Sequence, residues 1–361
     1  PFHRIRIEVK GTVDPAREVF TVQDGVLQIR GLSIPFSYAR TLGSQPSRED
    51  FTARLDDATG PQLTASLPLV ALPRLGMPKL DGTLSLSIIG HIDNERPEAA
   101  EVTARVRNRL IVNGLPEQFD TASLQKKFRI DVYDAAGGSK RYDLGPAMPD
   151  WVSATSAPPH LAAAILAAID PLFGEHRGVS DLALSAVLTD LVKQRRRYGG
   201  YDTISQRVAA TLWPMDRRDA VRNIELGLLA THLESNLGKD EILDLFLNIA
   251  PWNGGDYFGV RTACRMFFDK DLAELAPEES AFIAVALTAP DGSIMGERGI
   301  PKPDAIADAV DVLRALNRSE LLPDESLRSA VKTLSEVGWP LRAVRSRDDE
   351  TAPRAGRRRP Q

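Results

Sequence analysis

Cysteine is nearly absent from this sequence, because Cys264 is the only cysteine among 361 residues. One cysteine excludes an intrachain disulfide, so cysteine usage gives no indication of the redox compartment. Cys264 lies in the segment RTACRMFF, whose composition favours a buried helix in which the thiol packs as a small apolar group. With 43% hydrophobic residues, the chain can build sizeable hydrophobic cores.

Long apolar runs and an excess of one charge are also missing. No stretch approaches the roughly 18 consecutive apolar residues of a transmembrane helix, and the first residues lack a signal-peptide pattern. Basic residues are concentrated locally, in the run from Lys193 to Arg197 and at Arg357–Arg359 in the tail. The formal net charge of -4 gives no global attraction to nucleic acid, which is therefore not expected as a partner.

A change in patterning divides the sequence near residues 144–151, which read LGPAMPDW. Before this point, alternation with a period of two predicts β-strands, whereas helical periods dominate after it. We expect an α+β fold. Its predicted parts are a β-rich domain of unknown function at 1–148, a mainly helical domain at 149–320, and a C-terminal helix with a disordered basic tail at 321–361.

The β-rich part is predicted to form an antiparallel sandwich or a curved sheet, because clusters of Gly, Pro, Asn and Asp separate its strand-like segments. The predicted strands are 3–11, 25–34, 62–70, 82–92, 101–112 and 126–134. In the second part, amphipathic periods and capping residues such as Ser180 predict helices. The predicted helices are 161–169, 180–197, 220–237, 239–250, 277–289 and roughly 303–317.

Three stretches of the helical part carry recognisable motifs. Residues 169–178 read IDPLFGEHRG, residues 221–225 read VRNIE, and residues 239–248 read KDEILDLFLN. They resemble the first, third and fourth motifs of the peptidoglycan glycosyltransferases (glycosyltransferase family 51), the bacterial enzymes that polymerise lipid II. In that family the motifs run Glu-Asp-x-x-Phe-x-x-His-x-Gly, Arg-Lys-x-x-Glu and Lys-x-x-Ile-Leu-Glu-x-Tyr-Leu-Asn. The agreement in order and spacing continues to Pro290.

The resemblance implies a mainly helical, lysozyme-like glycosyltransferase domain with its site residues at the motif positions. It implies that Glu225 occupies the second essential glutamate position, that Asp170 adjoins the first, and that His176 shapes the loop of the first motif. The residues implied to bind substrate are Thr203, Ser205, Gln206, Arg207, Arg222, Lys239 and Asn248. No cofactor and no metal ligands are expected, and dependence on a divalent metal stays open.

The second motif, usually Gly-Gly-Ser-Thr-Ile-Thr-Gln-Gln, is partly kept at residues 199–207, which read GGYDTISQR. Its hydroxyls and amide suit hydrogen bonding to a sugar or a diphosphate. The same pattern fits an ordinary helix start that is capped by Asp202 or Thr203, and the sequence does not decide between these interpretations. Taken alone, Glu225 would more often be a residue on a solvated helix face.

The predicted helix 180–197 also allows two interpretations, because it combines an apolar stripe with a basic end. Such a helix suits the headgroup region of a membrane surface. It equally suits packing against a core, with the basic end in solvent.

The decisive departure from the family pattern is Ile169, which stands where the first motif has its catalytic glutamate. A hydrocarbon side chain cannot accept the proton of the acceptor hydroxyl, and loss of a positioned base typically costs about 10²–10⁴-fold in rate. The chain also lacks some basic residues that the family motifs carry. Val221 stands in place of an arginine of the third motif, and Asp308 and Ala309 occupy the basic positions of the fifth motif. A substitute base would have to come from Asp170 or Glu175, although neighbouring helical residues point about 100° apart.

These features give three hypotheses about function. The first is a domain of bacterial cell-wall biogenesis with impaired or absent polymerase activity, which binds lipid II, a glycan strand or a cell-wall synthesis protein. The second is an active peptidoglycan glycosyltransferase that uses Asp170 or Glu175 as base, and the third is a structural envelope protein that works through its β-domain. The resemblance implies the extracytoplasmic (periplasmic) face of the inner membrane, contact with the membrane surface, and an anchor outside this chain.

Overall fold

The computed structural model describes most of the chain and divides into two compact units. One unit comprises Pro1–Ser156 with Ile169–Ala250, and the other comprises Ala157–Ala168 with Pro251–Gln361. The described residues are 5–41, 47–66, 72–133, 139–193, 202–215, 220–252, 257–289, 292–296 and 300–336. The residues outside them include Arg195–Arg197 of the basic run, Gly199–Tyr201 of the second motif and residues 337–361, which contain the predicted basic tail.

The first unit contains a six-stranded antiparallel sheet, which confirms the β-rich N-terminal part of the predicted fold class. Its strands, in spatial order, are β1 (Ile5–Asp14), β2 (Val19–Ile29), β3 (Leu32–Thr41), β4 (Arg48–Thr59), β6 (Thr83–Asp93) and β7 (Glu101–Asn108). Two small antiparallel pairs join β5 (Lys79–Asp81) with β8 (Ile111–Asn113) and β9 (Phe128–Tyr133) with β10 (Ser139–Leu144). In β7, buried Val102 and Ala104 alternate with exposed neighbours, as expected for a half-buried strand.

Three predicted strands require correction. The predicted strand 25–34 is the end of β2 and the start of β3, because Arg30 and Gly31 both have positive φ and form a two-residue hairpin turn. The predicted strand 101–112 is likewise divided between β7 and β8. Residues Gly60–Ser66 form the short helix α1 instead of the strand predicted from 62. A short apolar run does not distinguish a buried helix from a strand by periodicity alone.

The helical part of the fold class is also confirmed, with a helix at each predicted position. The first unit holds α3 (Asp181–Val192), α4 (Ile204–Leu212), α5 (Ala220–Asn236) and α6 (Lys239–Ile249). Helix α2 (Pro159–Ile169) ends at the boundary between the units. The second unit holds β11 (Pro251–Trp252), β12 (Tyr257–Phe258), α7 (Val260–Phe268), α8 (Pro277–Thr288), α9 (Pro303–Arg318) and α10 (Asp324–Ser335). Among the described helices, none combines the length and apolar character needed to cross a bilayer.

The core of the second unit is built around α8, because Glu279 to Leu287 are all buried. The ring of Phe282 packs edge-on against Phe267 with centroids 5.5 Å apart, and Phe267 meets Trp252 at 5.9 Å. Such tilted and T-shaped contacts are favourable for aromatic rings. Cys264 is fully buried on α7, as its apolar segment predicted.

Helix α3 closes one edge of the six-stranded sheet. Side chains four residues apart along the helix accept hydrogen bonds from alternate backbone N–H groups of β7. The pairs are Asp181 with Val106 at 2.6 Å, Ser185 with Ala104 at 2.8 Å and Thr189 with Val102 at 3.1 Å. The spacing of the acceptors on α3 matches that of the donors on β7, because four helical residues rise about 6 Å and two strand residues extend about 6.7 Å. The apolar Leu182 and Leu191 of α3 are exposed, and their predicted role at a membrane surface stays a prediction.

The β-rich part and helix α5 are joined by polar contacts inside the first unit. The amide of Asn108 donates to the backbone oxygen of Arg177 at 2.7 Å and to the hydroxyl of Thr231 at 2.8 Å. The ring nitrogens of His232 lie 3.1 Å from the backbone oxygens of Val112 and Phe119. The compact unit therefore runs across residue 148, and the predicted domain boundaries at 148 and 320 stay a prediction.

Candidate functional site

The candidate site lies in the first unit, at the loop that follows α2. Ile169 is the last residue of α2 and is half-buried. Asp170, the next residue, is 2% exposed and begins a turn that runs to Gly178. This turn carries the first motif, so the surroundings of Asp170 decide whether its carboxylate is available for chemistry.

The carboxylate of Asp170 is used to hold two parts of the structure together. Its Oδ1 and Oδ2 lie 2.9 Å and 3.0 Å from Nε2 of His176, which donates to it. Its Oδ2 also accepts from the backbone N–H of Ile204 at 3.0 Å, at the start of α4. Both oxygens are therefore engaged, and Asp170 fixes the motif loop to the first turn of a helix.

The start of α4 has the geometry of a capped helix. Thr203 accepts from the backbone N–H of Gln206 at 3.2 Å, and Gln206 accepts from the backbone N–H of Thr203 at 2.9 Å. The Thr203 hydroxyl also donates to the backbone oxygen of Gly178 at 2.8 Å. The structure thus has the N-cap that the sequence allowed at Thr203, as a reciprocal capping box. The proposed contacts of Thr203 and Gln206 with a sugar stay a prediction.

Gly178 is required at the end of the motif loop by its backbone. Its φ is +85°, and a Cβ at this position would lie 2.8 Å from the carbonyl carbon of Ala230. Both the left-handed conformation and the close approach of α5 exclude a larger residue. This explains physically why the last position of the motif is a glycine.

Ser205 and Lys239 meet at a third acidic residue that sequence reasoning did not identify. Glu234 accepts from the Ser205 hydroxyl at 2.6 Å and from Nζ of Lys239 at 2.7 Å. The same Nζ donates to the backbone oxygen of His176 at 2.8 Å and lies 4.3 Å from the centre of the Phe173 ring. The structure therefore gathers Ser205, Lys239 and the motif loop around one nearly buried carboxylate.

Asn248 lies at the far end of α6 and has a different partner. Its side chain accepts from the backbone N–H of Val152 at 2.9 Å and donates to the backbone oxygen of the same residue at 2.7 Å. One turn earlier, Asp244 accepts from the backbone N–H of Ala154 at 2.6 Å, and burial raises the pKa of the Asp244 carboxyl. Both side chains attach the segment before α2 to α6.

Glu225 lies on α5 and is 1% exposed, so it is not on a solvated helix face. Its Oε1 is 3.8 Å from Nη1 of Arg74, which lies in the 3₁₀ turn Pro73–Leu75 of the β-rich part. The guanidinium of Arg74 also donates to the backbone oxygen of Pro214 at 2.9 Å. Sequence reasoning missed Arg74, because it belongs to no motif and stands in a connection between β4 and β5.

Two further arginines surround Asp202 at the start of α4. Nε of Arg207 donates to the backbone oxygen of Asp202 at 3.2 Å, and Nη2 of Arg222 lies 3.9 Å from its Oδ2. Burial lowers the pKa of the Arg207 guanidinium, while the charges of Asp202 and Asp170 oppose that shift. These arginines give the site positive charge beside its acidic residues.

The remaining predicted positions are Glu175 in the motif loop and Asp308 and Ala309 on α9. The Glu175 side chain is exposed in the motif loop. On α9 in the second unit, Ala309 is fully buried, and burial together with Asp304 and Asp311 raises the pKa of the Asp308 carboxyl. Within the described residues, no group of three His, Cys, Asp or Glu side chains is arranged to hold a metal ion.

Comparison with known proteins agrees with the motif pattern. Residues 140–312 match the family model described as "Transglycosylase". A biosynthetic peptidoglycan transglycosylase of Nitrosomonas eutropha is 33% identical over 140 residues, which are 39% of this chain and 57% of that protein. A protein of the same description from Yersinia pestis is 36% identical over 142 residues, 39% of this chain and 58% of that protein. This chain thus spans less than two thirds of the length of these relatives.

A similarity to a solved structure is much weaker. Penicillin-binding protein 1A from Haemophilus influenzae is 20% identical to the aligned region, which covers 57% of this chain and 20% of that one. The TM-score is 0.27, a value too low to support an argument about the fold.

Proposed function

We propose that residues 140–312, which match the family model described as "Transglycosylase", serve peptidoglycan synthesis as a binding domain with impaired or absent polymerase activity. The ligand proposed is lipid II or the growing glycan strand. The proposed place of action is the outer face of the cytoplasmic membrane, near the membrane surface and other cell-wall synthesis proteins.

The observation that carries the proposal is the pair of residues at 169 and 170. Polymerisation joins the 4-hydroxyl of an acceptor sugar to the anomeric carbon of a donor, while the lipid diphosphate leaves and the configuration inverts. A base must take the hydroxyl proton in this step. Ile169 has no proton acceptor, and the Asp170 carboxylate beside it is committed to His176 and Ile204.

Recruiting Asp170 as the base would require breaking contacts that hold the motif loop. A hydrogen bond to a charged group contributes about 1.5–3 kcal/mol, so releasing this carboxylate would cost several such contributions. The cost would be added to the chemical barrier, where each 1.36 kcal/mol slows the reaction about tenfold. Asp170 is therefore a poor substitute base.

Binding, in contrast, does not need the missing base. Arg207 and Arg222 supply guanidinium groups at the start of α4 and in α5, and guanidinium groups are well suited to bind a diphosphate. Glu225 stays in the position of the second essential glutamate. These features support a domain that keeps a ligand-binding site but has lost polymerase activity.

One observation favours a second candidate, an active enzyme that uses Glu175. This carboxylate is exposed on the motif loop, and a Cβ placed at Gly174 before it would have no atom of the described residues within 4 Å. In this alternative Glu175 takes the acceptor proton, and Glu225 with Arg222 serves the donor side.

The test compares polymerisation with binding in the same preparations. Purified protein is incubated with lipid II, glycan polymer is resolved by gel electrophoresis, and binding is followed with fluorescent lipid II. We expect binding without polymer for the unmodified protein and for Glu175→Gln. Robust polymer that disappears in Glu175→Gln would establish the alternative, and absence of both binding and polymer would contradict the proposal.

A further inference from the structure

Arg74 brings a positive charge into the site from outside the family-matched segment. It lies in the turn Pro73–Leu75, whereas the match covers residues 140–312. Its Nη1 is nevertheless 3.8 Å from Oε1 of Glu225. The β-rich part of the chain therefore contributes directly to the surroundings of Glu225.

Glu225 lies on α5 one helical turn after Val221. Val221 and Glu225 are four residues apart and share one face of the helix. In the motif that this segment resembles, position 221 is an arginine, which would place a guanidinium next to the glutamate. The valine supplies no charge to the nearly fully buried Glu225 carboxylate, and a nearby cation such as Arg74 offsets part of the cost of burying it.

The guanidinium of Arg74 is held in position by two further contacts. It donates to the backbone oxygen of Pro214 and lies 5.9 Å from the centre of the Phe119 ring. Phe119 in turn packs edge-on against Trp213, with ring centroids 5.4 Å apart. The turn itself is anchored by Leu75, which is fully buried. Arg74 is thus fixed from several sides and does not depend on Glu225 alone for its position.

We propose that Arg74 is a positioning residue that helps to hold the Glu225 carboxylate in the site, with a positive charge that Val221 cannot supply. The β-rich part then completes the ligand-binding site of the helical part. The consequence for ligand binding rests on the function proposed above, whereas the coupling of Arg74 with Glu225 does not.

The coupling is tested by a double-mutant cycle in urea unfolding, with Arg74→Gln, Glu225→Gln and the double variant of the full chain. We expect the unfolding equilibrium constants to be non-additive by about tenfold, within the range of directly interacting side chains. The matched control is Arg105→Gln, which removes an exposed arginine of β7 and should be additive with Glu225→Gln. An additive cycle for Arg74 would overturn the proposal.

Two further variants separate charge from packing. Arg74→Lys keeps the cation and should retain most of the coupling, whereas Arg74→Met keeps the apolar stem and should lose it. The variant Arg74→Gln with Val221→Arg returns a guanidinium to the same face of α5 and should recover at least half of the lost stability. Full retention in Arg74→Met, or no recovery with Val221→Arg, would contradict a role through charge.

Binding of fluorescent lipid II provides the readout that a purely structural role would not move. Under conditions where all variants are folded, Arg74→Gln should weaken binding about tenfold, and Arg105→Gln should leave it unchanged. If the unmodified protein does not bind lipid II, the proposed function fails while the cycle still decides the role of Arg74. If the protein binds and Arg74→Gln binds equally well, the positioning role fails alone.

Discussion

The carboxylate of Asp170 accepts a hydrogen bond from the backbone N–H of Ile204, a residue 34 positions later in the sequence. This contact fixes the loop of the first motif to the first turn of α4. It makes Asp170 a structural residue even though it adjoins the position of the family's base. The chemistry available at the site therefore depends on a contact that neither motif shows by itself.

Replacement of Asp170 by Asn should destabilise the fold. The amide has nearly the same shape but lacks the charge, and it presents a donor where the carboxylate accepts from both His176 and Ile204. We expect a loss of about 2–3 kcal/mol in the free energy of unfolding, measured by urea denaturation. As a control, Asp311→Asn changes an exposed carboxylate on α9 and should have little effect. Equal stability of Asp170→Asn and the unmodified protein would refute the structural role.

Replacement of Lys239 by Met should reveal a structural contribution of this predicted substrate-binding residue. The change removes the cation that pairs with nearly buried Glu234 and leaves that carboxylate without its ammonium partner. We expect a loss of about 2–3 kcal/mol in the free energy of unfolding, because the nearly buried Glu234 carboxylate loses a charged hydrogen-bond donor whose own side chain is partly exposed. Thermal and urea unfolding measure it, and Lys332→Met, which changes an exposed lysine of α10, is the control. A variant with unchanged stability but weaker ligand binding would favour a purely substrate-binding role.

Removal of the Ser185 hydroxyl should weaken the attachment of α3 to the sheet. Ser185→Ala leaves the backbone N–H of buried Ala104 without its 2.8 Å acceptor. The expected cost is about 1–3 kcal/mol, the desolvation penalty of an unsatisfied buried group. Ser335→Ala is the matched control, since that hydroxyl donates to the backbone oxygen of Val331 in its own helix. Hydrogen exchange should become faster at Ala104 in Ser185→Ala and stay unchanged in the control.

The thiol of Cys264 should be unreactive in the folded protein. Burial raises the pKa of this thiol to about 12, and the thiolate is the reactive form. At pH 8 a disulfide reagent should therefore label Cys264 only after unfolding in urea. Rapid labelling of the native protein would contradict this expectation.

The same pKa shift gives a sign for the dependence of stability on pH. The unfolded thiol loses its proton near pH 8.5, whereas the folded thiol keeps it to about pH 12. The contribution to stability is fully present below about pH 8.5 and is lost as the pH rises towards the folded pKa. Cys264→Ala should remove this part of the alkaline destabilisation, measured as unfolding free energy between pH 8 and pH 11.

Replacement of Ile169 by Glu should raise polymerisation, if the missing base limits the reaction. Ile169 is half-buried at the end of α2, so a glutamate there can reach solvent without entering a closed core. We expect an increase of about 10²-fold or more over any residual rate, which is the usual contribution of a positioned base. Ile169→Gln has the same length without the proton acceptor and is the control. An equal increase in both variants would show that the carboxylate is not the cause.

Much of the local structure could be predicted from the sequence. Helices α2, α3, α5, α6, α8 and α9 occur where amphipathic periods and caps indicate them, and the antiparallel sheet follows from alternation in the first part. The errors occur where the local signal is ambiguous. Alternation continues through the tight turn at Arg30 and Gly31, and the short apolar segment around Leu63 fits a helix or a strand.

The partners of the site residues could not be predicted in the same way. Thr203 and Gln206 cap their own helix, a local contact that the sequence allowed as one of two interpretations. Glu234 and Arg74 are absent from the sequence prediction, because the contacts that give them a role come from other elements. Side chains far apart in sequence meet only when helices and strands pack, and no periodicity encodes those pairs.

The sequence by itself determined which chemical groups are present at the motif positions. It placed a hydrocarbon at Ile169 and no arginine at Val221, and folding cannot supply a proton acceptor or a charge that these side chains lack. Tertiary structure decided how the remaining groups are used. It committed Asp170 to Ile204 and brought Arg74 to Glu225, because a buried carboxylate is stable only where packing delivers donors and cations to it.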